Sequence, residues 1–163
     1  MKKNDKGFTF IEIVVVIVVI GIVAGISALS LGSLNSASAK NCSSQLNAYI
    51  SKCRVASLSR AGEVYIKIKM QDGKVIGEYY EGGTLKETKT LSNGRAKVSY
   101  KVDEITSELS DGQELKLSFN RSTGALNPQT VGGEDYCTDI YITGGTKTYT
   151  ISIVSATGKH SLS

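Results

Sequence analysis

Glu12 is the single carboxylate in a long apolar stretch, and its position makes it the most informative residue of the sequence. The stretch runs from Gly7 to Leu31 and reads GFTFIEIVVVIVVIGIVAGISALSL. A lone carboxylate in apolar surroundings costs on the order of 1–3 kcal/mol, so it argues for a specific function. The chemistry expected of Glu12 is pairing with a cation when it leaves water.

The sequence offers no catalytic or metal-binding constellation beyond this carboxylate. His160 is the only histidine and lies near the end of the chain, so neither a histidine-based triad nor a histidine-rich zinc site is expected. There is no phosphate-binding loop and no CxxC motif. Gly132–Asp135 holds only two acids, too few to predict a calcium site. We therefore expect no enzyme, no cofactor and no metal.

The chain has three cysteines, and their redox state has two interpretations. Cys42 and Cys53 are eleven residues apart on a predicted helix, about 16 Å along its axis, beyond the reach of a disulfide. Either can instead pair with Cys137, and Cys53 is the preferred candidate because it lies nearer the following domain. The alternative is that all three are reduced residues of the core.

The element that positions Glu12 is a helix of membrane-spanning length. Ile13–Leu31 has no charge, and its nineteen residues cover about 28 Å as a helix, close to the hydrocarbon thickness of a bilayer. Gly21 and Gly25 form a GxxxG pair, which either lets another helix approach closely or is a tolerated scatter of small residues. The alternative for the whole segment is a plain amino-terminal anchor.

The residues before this helix resemble the type IV pilin signature: a short charged leader ending in Gly7, then aromatic Phe8, then Glu12 four residues on. In that family a prepilin peptidase cuts after the glycine and methylates the new amino terminus, and the apolar helix stays on the mature protein. The resemblance implies cleavage between Gly7 and Phe8 and methylation of Phe8. In a filament whose core is a bundle of these helices, Glu12 is expected to form the salt bridge of assembly with the amino terminus of a neighbouring Phe8.

The resemblance sets the expected domains and location. Residues 1–7 are the leader, 8–34 the transmembrane and filament-core helix, and 35–163 the extracellular head. The precursor is expected in the cytoplasmic (inner) membrane as a single-pass protein, with the leader lysines inside. It then enters a cell-surface pilus or a periplasmic or extracellular pseudopilus. Expected partners are other pilin subunits, the peptidase and the assembly machinery.

The head combines a helix with antiparallel strands. After Leu31 the chain stays free of proline up to Gly62, and a stripe with steps of four and three predicts one helix from about Phe8 to Arg60. The stripe consists of Cys42, Leu46, Tyr49, Cys53 and Ala56. From Glu63 the period changes to two, which predicts half-buried strands.

Turn signals divide this region into a meander of four strands. A polar connection over Asp103–Gly112, with one turn of helix, precedes three more strands. The predicted strands are Glu63–Met70, Lys74–Glu81, Thr84–Leu91, Arg95–Val102, Glu114–Asn120, Tyr136–Thr143 and Thr146–Ser155. The fold class is α+β.

Two late stretches resemble the GspH/FimT-type minor pilins and pseudopilins. They are Leu117–Gly124, with its Phe119 and turn glycine, and Thr148–Lys159, which ends in Gly158-Lys159. This resemblance implies a head with two sheets packed on the helix. The main subunits of the pilin family usually carry a proline near the position of Leu29, and this chain does not, which favours a minor subunit.

Three functions follow. The first is a structural subunit, a minor pilin of a type IV pilus or a pseudopilin of type II secretion. The second is a tip protein that binds DNA or a surface through basic residues, which is weakly supported because acids alternate with them and the net charge is small. Its candidates are a strip of Arg95, Lys97 and Lys101 or a strip of Arg121 and Lys159. The third is a permanently anchored surface protein.

We predict that the mature protein begins at Phe8 with a methylated amine, because the leader ends in Gly7. Intact mass and amino-terminal sequencing of protein purified from cells with active peptidase check this. A chain that keeps Lys2–Gly7 would contradict it, and Gly7→Ala serves as a mild control because the peptidase needs only a small residue there.

Overall fold

The computed structural model describes residues 9–129 and 132–163, with the backbone but not the side chains of residues 26–31. The expected cleavage bond between Gly7 and Phe8 lies outside the described residues, as does the side chain of Leu29.

One helix organises the molecule. α1 (Phe10–Ser59) is 50 residues long and runs without interruption through the position where main subunits of the resembled family carry proline. Its carboxyl end is at Arg60, whose N–H donates to Ala56 O at 2.9 Å, and Gly62 follows at φ +108°. The expected single helix is therefore found almost to its predicted bounds. All five residues of its predicted stripe are buried.

Within the described residues, nine strands follow the helix and form two antiparallel sheets. The first sheet has the order β3-β2-β1-β6 and the second β5-β4-β7-β8-β9. In chain order the strands are β1 (Val64–Gln71), β2 (Lys74–Glu81), β3 (Thr84–Ser92), β4 (Lys97–Val102), β5 (Ile105–Glu108), β6 (Glu114–Ser118), β7 (Cys137–Gly144), β8 (Lys147–Ile153) and β9 (His160–Leu162). The α+β class and the pair of sheets on one helix are confirmed.

Each sheet buries one apolar face in the core that it shares with the carboxyl-terminal half of α1. Ile66 and Ile68 represent the first sheet and Ile140 and Ile142 the second, and none of the four is exposed. Polar contacts add to this packing. Tyr49 of α1 donates its hydroxyl to Glu87 Oε1 of β3 at 2.6 Å, and the Lys52 ammonium pairs with the other oxygen of Glu87.

The expected meander of four strands is wrong at its last member. β1, β2 and β3 pair in sequence, but β4 joins β5 and β7 in the second sheet. The reason is burial on both sides of the Asn93-Gly94 turn, since Leu91, Ser92 and Ala96 are all at most 6% exposed. The chain crosses the edge of the core there instead of returning along β3.

Two further differences concern short segments. Asp103–Gly112 contains no helical turn; Asp103 and Glu104 form a tight turn with positive φ, and β5 then pairs back on β4. β9 is absent from the predicted strands. It exists because it pairs with β8 and because His160 Nε2 lies 2.8 Å from Ser51 Oγ of α1.

The turn between β7 and β8 is seated directly on the helix. A Cβ at Gly144 would lie 2.3 Å from Asn35 O and 2.7 Å from Ala39 Cβ. Ser36 Oγ donates to Gly144 O at 3.1 Å, and a Cβ at Gly145 would lie 2.7 Å from Gly32 O. Only glycine allows this close approach, so the turn fixes the second sheet at the point where the head begins.

We predict that Gly144→Ala lowers the free energy of unfolding by about 1–3 kcal/mol, because the added Cβ overlaps the helix backbone. Thermal unfolding of the purified full chain, followed by circular dichroism, measures this. Gly32→Ala is the matched control, since a Cβ there meets nothing within 4 Å and alanine favours helix. Equal stability of the two variants would contradict the seating of the turn.

Candidate functional site

Glu12 takes part in the cap at the amino terminus of α1. Thr9 is the N-cap residue, and both its backbone N–H and its hydroxyl donate to Glu12 Oε2, at 2.8 Å and 2.7 Å. The Glu12 N–H lies 3.4 Å from Thr9 Oγ1, which completes a capping box. Sequence reasoning missed Thr9, although Thr9-Phe10-Ile11-Glu12 is a readable T-x-x-E signature before an apolar run.

The helix beyond Glu12 projects from the head as an apolar rod. Every large apolar side chain from Phe10 to Val23 is exposed, from 41% at Val14 to 84% at Phe10. A soluble protein seldom leaves a contiguous apolar surface of this extent uncovered, so this half of α1 is built to be covered by something else. Within the part of the chain that the structure describes, no helix is long and apolar enough to cross a membrane.

The glycines of this rod lie open. A Cβ at Gly21 or Gly25 would meet nothing within 4 Å. Both positions are therefore available to a second helix, and packing through them stays a prediction.

The cysteines do not form the expected Cys53–Cys137 bridge. Cys42, Cys53 and Cys137 are three free, buried thiols. Cys53 Sγ faces β6, 3.9 Å from Leu117 O, whereas Cys137 Sγ turns to the carbonyl of Asp139 on its own strand, at 3.8 Å. The helix thiol of Cys53 thus faces the first sheet, whereas Cys137 belongs to the second, which corrects the disulfide prediction and leaves the alternative of three core thiols.

The two basic strips suggested for a polyanion lie on different elements of the head. On β4, Lys97 pairs with Glu108 at 3.1 Å and Lys101 with Glu104 at 2.8 Å. Arg121 and Lys159 lie on two other loops of the head. Among the described residues, no group of three or more His, Cys, Asp and Glu is placed to hold a metal ion.

Those two loops meet at Arg54. Its Nε donates to Gly124 O at 3.3 Å, and its Nη2 donates to Thr157 O at 3.0 Å. A Cβ at Gly158 would lie 2.0 Å from Gly124 O, so the second loop can close on the first only with glycine at 158. The two stretches that carried the late resemblance are therefore neighbours in the fold.

A comparison with protein families decides the nature of the amino terminus. Residues 2–28 match the family described as the prokaryotic N-terminal methylation motif. The chain carries this motif. The N-terminal methylation motif is the class III signal peptide of type IV pilins and pseudopilins, so the resemblance drawn from Gly7, Phe8 and Glu12 is confirmed.

The N-terminal methylation motif covers the leader and the apolar rod but none of the head. It indicates a pilin-like structural subunit that is processed by a prepilin peptidase, anchored in a membrane as a precursor and then assembled with other subunits. Comparisons with curated proteins and with solved structures find no match.

We predict that the three thiols are unreactive in the folded chain. Burial raises the pKa of Cys42, Cys53 and Cys137 to about 12, from an ordinary value of 9.0, so the nucleophilic thiolate is scarce at neutral pH. An aromatic disulfide reagent added to native chain should release almost no colour, and denatured chain should release three equivalents.

The same shift gives a pH dependence of stability. A raised thiol pKa stabilises the fold fully below about pH 9, and this stabilisation is lost as the pH rises toward 12. In the thiol-reagent experiment, release of one equivalent instead of three from chain denatured without reductant would show that two cysteines are joined in a disulfide. This result would contradict the three free thiols.

Proposed function

We propose that this chain is a minor subunit of a type IV pilus or a closely related filament, with a membrane-anchored precursor. The observation that carries the proposal is the apolar half of α1, which is exposed from Phe10 to Val23 and continuous with a half that is buried in the head. A bundle of such helices covers the exposed apolar surface, and the heads then coat the outside. Helix packing through Gly21 and Gly25 belongs to this bundle.

Glu12 sets the register of the bundle in this proposal. Its Oε2 already accepts two hydrogen bonds from Thr9, which reduces the cost of taking the carboxylate out of water. The remaining charge pairs with the methylated amine of Phe8 from a neighbouring subunit. Phe8 precedes Glu12 by four residues in the sequence, so an axial stagger between neighbouring subunits is needed to bring the two groups together. A purely apolar interface between helices would not favour one axial register over another.

The minor role is supported by two features of the chain. The helix backbone runs without a break past Leu29, where the main subunits of pilins usually carry proline. The contact of Gly124 and Gly158 at Arg54 supports a GspH/FimT-like head, because it joins the two stretches that resemble that group. Secretion pseudopilus and adhesion or uptake pilus are alternatives within this proposal, as is a tip that binds DNA.

We predict that Glu12→Val lowers the content of this subunit in sheared filaments at least about tenfold, because an amine left unpaired in the bundle costs about 3–5 kcal/mol. The variant is expressed with the peptidase and the assembly motor, and subunit content and filament number are both measured.

Thr9→Val is the matched control: it removes the capping hydroxyl but leaves the carboxylate of Glu12 and the backbone N–H that donates to it, so incorporation should fall much less than with Glu12→Val. Normal content and normal filament number for Glu12→Val would remove the assembly role. Loss with both variants would assign the effect to the helix cap.

A further inference from the structure

The base of the head holds two open grooves, one on each side of the helix as it leaves the head. The first, of about 600 Å³, lies between α1 and the end of β3, and we name it the β3 groove. The second, of about 550 Å³, lies between α1 and the β7–β8 turn, and we name it the hairpin groove. Both include Ala37, so they flank the helix at one level, and neither is lined by any Asp or Glu.

Three cations line these grooves, and we name them the basal cations: Arg95 in the β3 groove, and Lys40 and Lys147 in the hairpin groove. None of the three is in an ion pair with any residue that the structure describes. Seven other cations of the head each pair with a glutamate, namely Lys52, Arg60, Lys67, Lys69, Lys97, Lys101 and Lys116. The charge of the basal cations is therefore available to an external anion.

The level of the basal cations matches the end of the apolar segment. The β7–β8 turn is fixed at Gly32 and Ser36, so Lys147 lies beside the residues that directly follow Leu31. Lys40 is nine residues beyond Leu31, about 14 Å along the axis, and helical side chains lean toward the amino terminus. A headgroup layer is about 5–8 Å thick on each side of the hydrocarbon, within reach of a lysine side chain.

We propose that the basal cations and the two grooves bind the anionic headgroups of the phospholipids around the precursor's helix. Thr146 and Tyr149 line the hairpin groove and add hydroxyl donors for a phosphate. A lipid is the occupant because the grooves open beside the exposed apolar helix: one molecule then satisfies the cations with its phosphate and the helix with its acyl chains. This inference rests on the membrane anchor of the proposed function.

The far end of the head provides an internal comparison. Arg121 and Lys159 are also exposed and outside the ion pairs of the described residues, but their loops meet at Arg54, fourteen residues above Lys40, about 21 Å along the helix. They carry the same charge without access to the membrane surface. Substituting Arg121 and Lys159 therefore distinguishes an effect of net charge from an effect of the position of the charge.

The first experiment labels lysines of the full chain in vesicles with an amine-reactive reagent and quantifies each site by mass spectrometry. We expect labelling of Lys40 and Lys147 to be about fivefold lower in vesicles that contain phosphatidylglycerol than in phosphatidylcholine vesicles. Fivefold is the change in binding equilibrium that one cation contributes at an anionic surface. High salt should restore it, and Lys159 should not change. Equal labelling of Lys40 in both vesicles would overturn the proposal.

The second experiment compares two triple variants of equal charge. Lys40→Gln/Arg95→Gln/Lys147→Gln should lose most of the phosphatidylglycerol that co-purifies with the full chain in mild detergent. Lys86 of β3 lines neither groove and is outside the ion pairs of the described residues, so Lys86→Gln/Arg121→Gln/Lys159→Gln should retain it. Equal loss from both variants would reduce the effect to net charge and overturn the assigned site.

Two controls separate the remaining outcomes. Inorganic phosphate added to phosphatidylcholine vesicles should not protect Lys40 or Lys147, and protection would assign a free-anion site instead of a lipid site. Extraction of the chain by alkaline carbonate would contradict the membrane anchor and the lipid proposal together. A carbonate-resistant chain without lipid-dependent protection would contradict the lipid proposal alone.

Discussion

The buried face of α1 is the interaction on which the rest of the structure depends. The two sheets are separate in their hydrogen bonding, and each covers its apolar face with the same helix, around Cys42, Leu46 and Cys53, none of them exposed. Burying such side chains is the main favourable term of folding, so neither sheet has a complete core without the helix. The consequence reaches beyond the head: because one half of α1 is fixed by two sheets, its apolar half projects in a defined direction.

Local signals in the sequence predicted most of this architecture, and the failures are non-local. The period of two and the Asp72-Gly73 and Gly82-Gly83 turns gave β1, β2 and β3 nearly to the residue. Asn93-Gly94 carries the same hairpin signal, yet β4 leaves for the second sheet, since burial of the flanking residues against the helix outweighs turn chemistry. β9 has three residues and no pattern of its own; its pairing with β8 and the contact of His160 with Ser51 create it.

The candidate functional residues also divide into those that local sequence signals reveal and those that depend on non-local contacts. Gly7, Phe8 and Glu12 were recognisable because residue types at fixed spacing carry the chemistry, and Thr9 was readable by the same means. The sequence could not decide whether Cys53 pairs with Cys137, because this depends on which sheet each thiol faces, and the structure leaves both thiols free. The unpaired state of Lys40 and Lys147 was equally invisible, since the glutamates that neutralise other cations come from distant strands, as Glu114 does for Lys67.

The proposed pilin function places opposing charges at the two ends of the apolar segment. Near its start, Glu12 makes the membrane about 1–3 kcal/mol less favourable, a cost that pairing in a filament relieves. At its end, the lipid site proposed for the three basal cations would hold the precursor at an anionic surface by about 1 kcal/mol per cation, and extraction would forfeit this. The two effects are similar in size and opposite in sign, so the apolar helix alone does not set the balance between membrane and filament. A subunit built in this way waits in the membrane until the bundle supplies both a cover for its apolar surface and a cation for Glu12.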